Sequence, residues 1–261
     1  MNEVNKTLYI PLYGKAYVSR RGLFLEDKKA EEIWNKEGFP LKGKSRSKWL
    51  AFYMGIRAAV FDDWLRHQMA LMPGAVVLHI GCGLDSRVLR VGTENHKWYD
   101  VDFPEVIEDR KRFFATLPGY EMVSGDARDA GFLAGIPKGV PAIVVMEGVS
   151  MYLTDEERRA LTAALTGHFS RVSLLMDCYT VFAAKMSKYK NPVNDVGVTR
   201  VYGMDDPACL NGDNLVFVKA HPMTPGEYID QLSGMEKAIF RKLYAGKMSE
   251  KLYRLYEYRS I

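Results

Sequence analysis

The sequence predicts an α/β fold with a Rossmann-like, seven-stranded and mostly parallel sheet. Three observations support this prediction: strand-like segments alternate with helical segments between residues 73 and 179, a Gly-x-Gly turn follows the first strand, and an acid ends the second. Alternating strands and helices form parallel sheets through right-handed crossovers. A glycine turn followed by an acid about 20 residues later is typical of sheets that bind nucleotides.

The predicted nucleotide-binding core, residues 73–179, begins at Pro73-Gly74, a pair that ends helices. Its strands are predicted at 75–80, 97–101, 120–124, 141–147 and 171–178. Its helices are predicted at 86–91, 104–116 and 154–168. Thr154 and Glu157 have the spacing of a capping box, in which each side chain bonds to the backbone of the other residue. The last helix is therefore expected to begin directly after Thr154.

Segments on both sides of this core complete a single domain over residues 1–261. Helices at 26–36 and 48–70 predict a helical cap over residues 1–72, because apolar residues recur there at helical spacing. Residues 213–261 are expected to form the C-terminal part of the sheet. They contain a strand at 213–219, a helix at 225–245 and a final strand at 253–259.

Residues 180–212 are irregular and are predicted to form a lid-like insertion. Long irregular segments inside a compact domain commonly cover a binding site. Several side chains of this segment are suited to cover an apolar acceptor: Phe182, Met186, Tyr189, Tyr202 and Met204.

Composition narrows the class of protein. Hydrophobic residues make up 48% of the chain, which suits a globular core, and no apolar run is long enough to cross a bilayer. The N-terminus lacks signal-peptide zones, and Cys82, Cys178 and Cys209 are too scattered for disulfides or a metal cluster. We therefore expect a cytoplasmic protein without a metal. A net charge of +4 is too small and too evenly spread for nucleic-acid binding, and the basic run at 42–48 is interpreted as a solvated loop.

Glycines or acids stand at the ends of four consecutive predicted strands. These residues are Gly81 and Gly83, Asp102, Asp126 and Glu147. Parallel strands bring these ends to one edge, where ligands bind. An acidic edge suits S-adenosylmethionine, which carries an ammonium, a sulfonium and a ribose diol, better than a pyrophosphate cofactor. Asp102 is the predicted ribose ligand, with Asp100 as the alternative if the register differs.

Four segments form a specific combination of motifs: 53–58, 81–87, 98–106 and 147–153. They read Tyr-Met-Gly-Ile-Arg-Ala, Gly-Cys-Gly-Leu-Asp-Ser-Arg, Trp-Tyr-Asp-Val-Asp-Phe-Pro-Glu-Val and Glu-Gly-Val-Ser-Met-Tyr-Leu. This combination resembles the leucine carboxyl methyltransferase family, and most closely its bacterial branch of tetracenomycin-type polyketide O-methyltransferases. The resemblance runs from about residue 8 to residue 178 and implies a class I methyltransferase fold.

The resemblance also implies roles in binding the methyl donor. Arg57 would bind the donor carboxylate, and Glu147 would bind the α-ammonium. Gly81 and Gly83 would contact the methionine part, and Asp102 would bind the ribose. Asp126 and the backbone of Ala127 would face adenine, and Lys15 would lie near the ligand. Asp85 and Arg87 are interpreted as a structural ion pair, and His79 as a packed core residue. Met151 and Tyr152 belong either to the acceptor pocket or to the core.

The expected chemistry is transfer of a methyl group from a sulfonium to an oxygen. Because the donor is already activated, the protein mainly aligns the reactants and excludes water. The sequence offers no convincing general base, so catalytic residues stay unassigned. A carboxylate or acidic hydroxyl of a small molecule is therefore the favoured acceptor.

Three alternatives stay open at this point, as does the oligomeric state. The family includes methyltransferases that act on protein C-termini as well as on small molecules. An NAD-dependent oxidoreductase would share the nucleotide-binding unit, although Ser86 stands where the third glycine of that fingerprint belongs. A non-catalytic nucleotide-binding protein would share the binding residues.

Overall fold

The computed structural model describes residues 7–37, 43–114, 117–187, 200–212 and 214–261. These residues form a seven-stranded sheet flanked by helices, as the sequence predicts. In the described part of the chain, no helix combines the length and the apolar character that a bilayer crossing requires.

The strands follow the predicted positions to within two residues at every boundary. They are β1 (Val76–Ile80), β2 (Trp98–Asp102), β3 (Tyr120–Ser124), β4 (Pro141–Met146), β5 (Arg171–Tyr179), β6 (Leu215–His221) and β7 (Tyr253–Ser260). Their order in the sheet is β3-β2-β1-β4-β5-β7-β6. The first five strands are parallel, and β7 lies antiparallel between β5 and β6. The carboxyl ends of β1, β2 and β4 therefore meet at the centre of one edge.

Helices cover both faces of this sheet. They are α1 (Tyr9–Arg20), α2 (Lys28–Glu37), α3 (Lys48–Leu71), α4 (Arg87–Val91), α5 (Pro104–Lys111), α6 (Asp155–His168), α7 (Val181–Ser187), α8 (Gly226–Ile229), α9 (Gly234–Leu243) and α10 (Lys247–Glu250). On one face, Val77 and Val145 pack in a core with side chains of α1, α3 and α9. On the other face, Leu78 and Val144 pack with side chains of α6. Alternating strand residues thus supply two separate cores.

The capping box predicted for α6 is present. The Thr154 backbone N–H donates to Glu157 Oε2 at 2.7 Å, and the Glu157 backbone N–H donates to Thr154 Oγ1 at 3.2 Å. Two helix predictions need correction. The helix predicted over 225–245 is divided into α8 and α9, and α9 begins at Gly234, whose positive φ of 45° interrupts a continuous helix. The helix predicted over 104–116 ends at Lys111, and residues 115 and 116 lie outside the described residues.

Helix α1 was not predicted, because Pro11 and Gly14 obscure its helical pattern. Gly14 lets α1 lie close to α3: a Cβ on this residue would come within 2.7 Å of the Met54 Cβ. The close approach matters for function, since α1 and α3 together form one wall of the cavity described below.

The segment predicted as a lid has two parts with different environments. Gly203 pairs with Tyr179 at the end of β5, and the Met204 N–H donates to the Tyr179 carbonyl at 2.8 Å. Met204 is buried in the sheet core, so its expected position over the acceptor is wrong. Phe182 and Met186 lie on α7 and are exposed, whereas Tyr189 falls outside the described residues.

Candidate active site

A cavity of about 1280 Å³ lies at the carboxyl ends of the central strands. It is lined by every residue that the sequence assigns to donor binding: Lys15, Arg57, Gly81, Gly83, Asp102, Asp126, Ala127 and Glu147. These residues come from α1, α3 and the loops that follow β1 to β4. The topology of the sheet therefore brings together residues that are far apart in the chain.

The glycine loop after β1 requires residues without a side chain. Gly81 has a φ of +69°, and a Cβ there would lie 2.1 Å from Cγ2 of Val149. Gly83 has a φ of +51°, and its N–H donates to Oδ2 of Asp102 at 2.7 Å. Both positions thus combine a left-handed backbone with close neighbours, and the second joins the loop to the acid at the end of β2.

Asp102 and Asp100, the two candidate ribose ligands, have different environments. Asp102 lines the cavity, and burial raises its pKa to about 6 although the N–H groups of Gly83 and Phe103 donate to it. Asp100 is fully buried below the cavity and is bound by Arg110 and Tyr120. Burial opposes ionisation of Asp100, but Arg110 prevails and lowers its pKa to about 2. Asp100 is therefore structural.

A buried charge cluster lies beside the glycine loop. Arg57 Nη2 lies 2.9 Å from Glu147 Oε1, and Arg87 binds the other oxygen of Glu147. Arg87 also lies 3.4 Å from Asp85, which pairs with Lys15 at 3.1 Å. Burial opposes ionisation of Glu147, but the two arginines lower its pKa to about 2. The predicted Asp85–Arg87 pair is thus part of a larger network that also anchors α1.

Asp177, at the end of β5, belongs to this cluster and was missed by the sequence reasoning. Its side chain is fully buried, and its Oδ2 accepts a hydrogen bond from Arg57 Nη1 at 2.9 Å. Burial raises its pKa to about 6, although Arg57 opposes the shift. The sequence does contain a signal for Asp177, because this acid stands inside the otherwise apolar run Leu174-Leu175-Met176-Asp177-Cys178. A buried acid needs a charged or hydrogen-bonding partner, so its position in a buried strand indicates such a partner nearby.

The remaining predicted polar residues have defined partners. Asp126 binds Arg128 through both carboxylate oxygens; burial opposes ionisation of Asp126, but this contact lowers its pKa. His79 is buried, as predicted, with Nδ1 3.3 Å from Asp100 Oδ1. Burial lowers the pKa of His79, so it is neutral at pH 7 and does not add positive charge to the cavity.

The other half of the cavity is apolar and aromatic. Its wall includes Tyr53 of α3, Tyr179 of β5 and Tyr253 of β7, with ring centroids 4.8 Å apart for Tyr179 and Tyr253. Tyr152 lines this half, whereas Met151 contributes to both the cavity and the core. Met186, which the sequence predicts to cover the acceptor, also lines the cavity. Three further apolar wall residues carry no such prediction: Leu243, Met248 and Leu252.

These tyrosines are not suited to act as bases. Burial raises the pKa of the Tyr53, Tyr152 and Tyr253 phenols above the ordinary value, so all three stay protonated at pH 7. The acids that line the cavity, Asp85, Asp102, Asp126 and Glu147, belong to the glycine-loop half.

The residues present fit an S-adenosyl ligand. Arg57 Nε is buried and has no hydrogen-bond partner in the part of the chain that the structure describes, so it has a donor for a carboxylate. Gly81 and Gly83 expose backbone to the cavity, and Asp102 supplies a carboxylate for a diol. The cavity is also large enough for a second reactant beside the donor.

Comparison with known proteins identifies the family. Residues 7–166 match the model of the leucine carboxyl methyltransferase family. The chain belongs to this family. It is 28% identical over 240 residues to the tetracenomycin polyketide synthesis O-methyltransferase of Streptomyces glaucescens, which covers 90% of this chain and 89% of that protein. It is 30% identical over 179 residues to the S-adenosyl-L-methionine-dependent methyltransferase dpfgK of Gibberella zeae, over 63% of this chain and 60% of that one.

Solved structures agree on the fold. The magnesium protoporphyrin IX methyltransferase of Synechocystis PCC 6803, solved with bound S-adenosylhomocysteine, superposes with a TM-score of 0.52. The match covers 89% of this chain and 99% of that one at 15% identity, which shows a shared fold. Family and fold together make this protein an S-adenosylmethionine-dependent O-methyltransferase of class I architecture, as the sequence predicts.

Proposed function

We propose that this family member methylates a carboxylate or an acidic hydroxyl of a small molecule. The observation that carries the proposal is the division of one cavity into two halves. One half combines glycine backbone with acids, and the other is walled by tyrosines and apolar side chains without an acidic group among the described lining residues. An acceptor that arrives ionised needs no base in the second half.

In this proposal, each described donor-site residue has a binding role. Arg57 binds the donor carboxylate, Glu147 the α-ammonium and Asp102 the ribose hydroxyls. Asp126 and the backbone of Ala127 face adenine. The remaining positions shape or neighbour the methionine part: Gly81, Gly83 and Lys15. S-adenosylmethionine supplies an activated methyl group, and the protein aligns it with the acceptor oxygen and keeps water away.

The aromatic half supports a small, flat or apolar acceptor. Tyr53 and Tyr253 meet edge to face with ring centroids 6.2 Å apart, and α7 adds Ala183 and Met186 to the wall. Aromatic walls bind planar apolar groups well, whereas a flexible peptide tail gains less from them. In this proposal α7 and the helical cap of residues 1–72 together cover the acceptor, within a cytoplasmic single-domain enzyme.

A labelled-methyl transfer assay tests the proposal. The purified protein is incubated with S-adenosylmethionine labelled at the methyl group and with aromatic carboxylic acids, phenols and leucine-terminated peptides. We expect label in base-labile methyl esters of aromatic acids, or in ethers of acidic phenols. The matched control replaces each acid by its amide, which offers no anionic oxygen and should take up no label. Labelling of the peptides alone would instead identify a protein C-terminal methyltransferase.

A further inference from the structure

Asp177 contacts two different parts of the donor site with its two carboxylate oxygens. Its Oδ2 accepts from Arg57 Nη1 at 2.9 Å, and its Oδ1 accepts from the Gly148 backbone N–H at 2.7 Å. The side chain is fully buried and does not itself line the cavity. Asp177 thus lies behind the donor site, bound both to a side chain and to a backbone turn.

These two partners belong to the two arms of the proposed methionine clamp. Arg57 is one arm, and Gly148 directly follows Glu147, the other arm. Gly148 has a φ of +74°, so the chain turns sharply after Glu147 and the bond to Asp177 fixes that turn. One carboxylate on β5 therefore contacts Arg57 directly and also contacts the residue that follows Glu147.

Asp177 also competes with Glu147 for the same guanidinium. Arg57 Nη1 is bound to Asp177, and Arg57 Nη2 lies 2.9 Å from Glu147. Without a negative charge at residue 177, the attraction of Glu147 for Arg57 would be unopposed, and the guanidinium would be free to turn its Nη1 away from residue 177 towards Glu147. A guanidinium turned towards Glu147 has less capacity for the carboxylate of a ligand, because more of its donors are then used within the protein.

We propose that Asp177 is a positioning residue that fixes the orientation of the Arg57 guanidinium beside Glu147, so that the two residues can bind the amino-acid end of the donor. This inference rests on the proposed donor site. A positioning role differs from a purely structural role in one respect. Binding of the amino-acid end of the ligand should depend on Asp177, whereas binding of its adenosine end should not.

Calorimetry with two ligands separates these possibilities. S-adenosylhomocysteine has the amino-acid end, and 5′-methylthioadenosine lacks it. The Asp177→Asn variant keeps an oxygen that can accept from Gly148 but loses the charge that holds Arg57. We expect its affinity for S-adenosylhomocysteine to fall about tenfold or more, the scale of a charged hydrogen bond, with affinity for 5′-methylthioadenosine unchanged within about twofold.

Glu257→Gln provides the matched control. Glu257 is a buried carboxylate on β7, the strand beside β5, and its side chain binds His221 at 2.6 Å away from the cavity. This variant should bind both ligands as the wild type does. If Asp177→Asn does not fold, Asp177→Glu keeps the charge but displaces both oxygens, and the same ligand comparison applies to it.

A double-mutant cycle completes the test, because Asp177 is proposed to act through Arg57. In an Arg57→Ala background, Asp177→Asn should cause little further loss of S-adenosylhomocysteine affinity. Fully additive losses, or equal losses for the two ligands in the single variant, would overturn the positioning role. If the wild type bound neither ligand, the proposed donor site itself would be wrong. This outcome is distinct from additive losses and from equal losses, which concern only the role of Asp177.

Discussion

Two acids on β2, separated by one residue, have different contacts. Asp102 is in contact with the cavity and the glycine loop, while Asp100 neutralises the buried Arg110. The sequence predicts Asp102 as the ligand from its later position in the strand. The sequence alone does not show that Arg110, ten residues after Asp100, pairs with Asp100, because that contact depends on how α5 packs against β2.

This difference predicts opposite effects of two substitutions. Asp102→Ala should weaken S-adenosylhomocysteine binding by about 1.5–3 kcal/mol, the scale for losing a charged hydrogen-bond partner, with little change in stability. Asp100→Ala should lower the free energy of unfolding by about 3–5 kcal/mol, because it leaves Arg110 buried without its partner. Calorimetry and denaturant titration measure the two effects. The assignment would be reversed if Asp100→Ala kept its stability but bound S-adenosylhomocysteine weakly, while Asp102→Ala bound it normally.

The raised pKa of Asp102 predicts a pH dependence of adenosine binding. A carboxylate that accepts from ribose hydroxyls must be ionised, so protonation below pH 6 competes with the ligand. Affinity for 5′-methylthioadenosine should be constant above pH 7. Below pH 6 it should decrease with a slope that approaches about tenfold per pH unit. Asp100 and Glu147, with pKa values of about 2, stay ionised throughout.

Asp102→Asn is the control for this pH dependence. The amide does not titrate, so its weaker binding should be independent of pH between 5 and 8. A decline of the same steepness in Asp102→Asn would assign the titration to another group.

At the level of secondary structure, local signals explain which elements were predictable. Helix α6 carries its own start signal in Thr154 and Glu157, and the strands of the core are short apolar runs between turn residues. Helix α1 has no comparable signal, because its stability comes from packing through Gly14 against α3 and from the Lys15–Asp85 ion pair. Such long-range contacts are invisible to local patterning.

The capping box of α6 gives a prediction for stability alone. Thr154→Ala removes the acceptor for the Glu157 backbone N–H and should lower the free energy of unfolding by about 0.5–2 kcal/mol. Since α6 packs on the face of the sheet opposite α3, donor affinity should be unchanged. Thr166→Ala in the last turns of the same helix is the control, and an equal loss of stability there would refute the capping role.

At the scale of the whole molecule, the donor half of the cavity was more predictable than the acceptor half. Most of the proposed donor residues end or follow consecutive strands, and parallel topology alone brings strand ends to one edge. The acceptor wall combines α1, α3, α7, β7 and the region around α10, which are far apart in the chain. Their meeting depends on helix packing and on the insertion of β7 between β5 and β6, and no local sequence pattern encodes it.

The most direct test of the central claim is calorimetric titration of the wild-type protein with S-adenosylhomocysteine and, separately, with NAD. We expect saturable binding of one S-adenosylhomocysteine per chain and no heat of binding with NAD, because the acidic strand ends favour an ammonium over a pyrophosphate. Binding of NAD, or the absence of any S-adenosylhomocysteine binding, would contradict this claim.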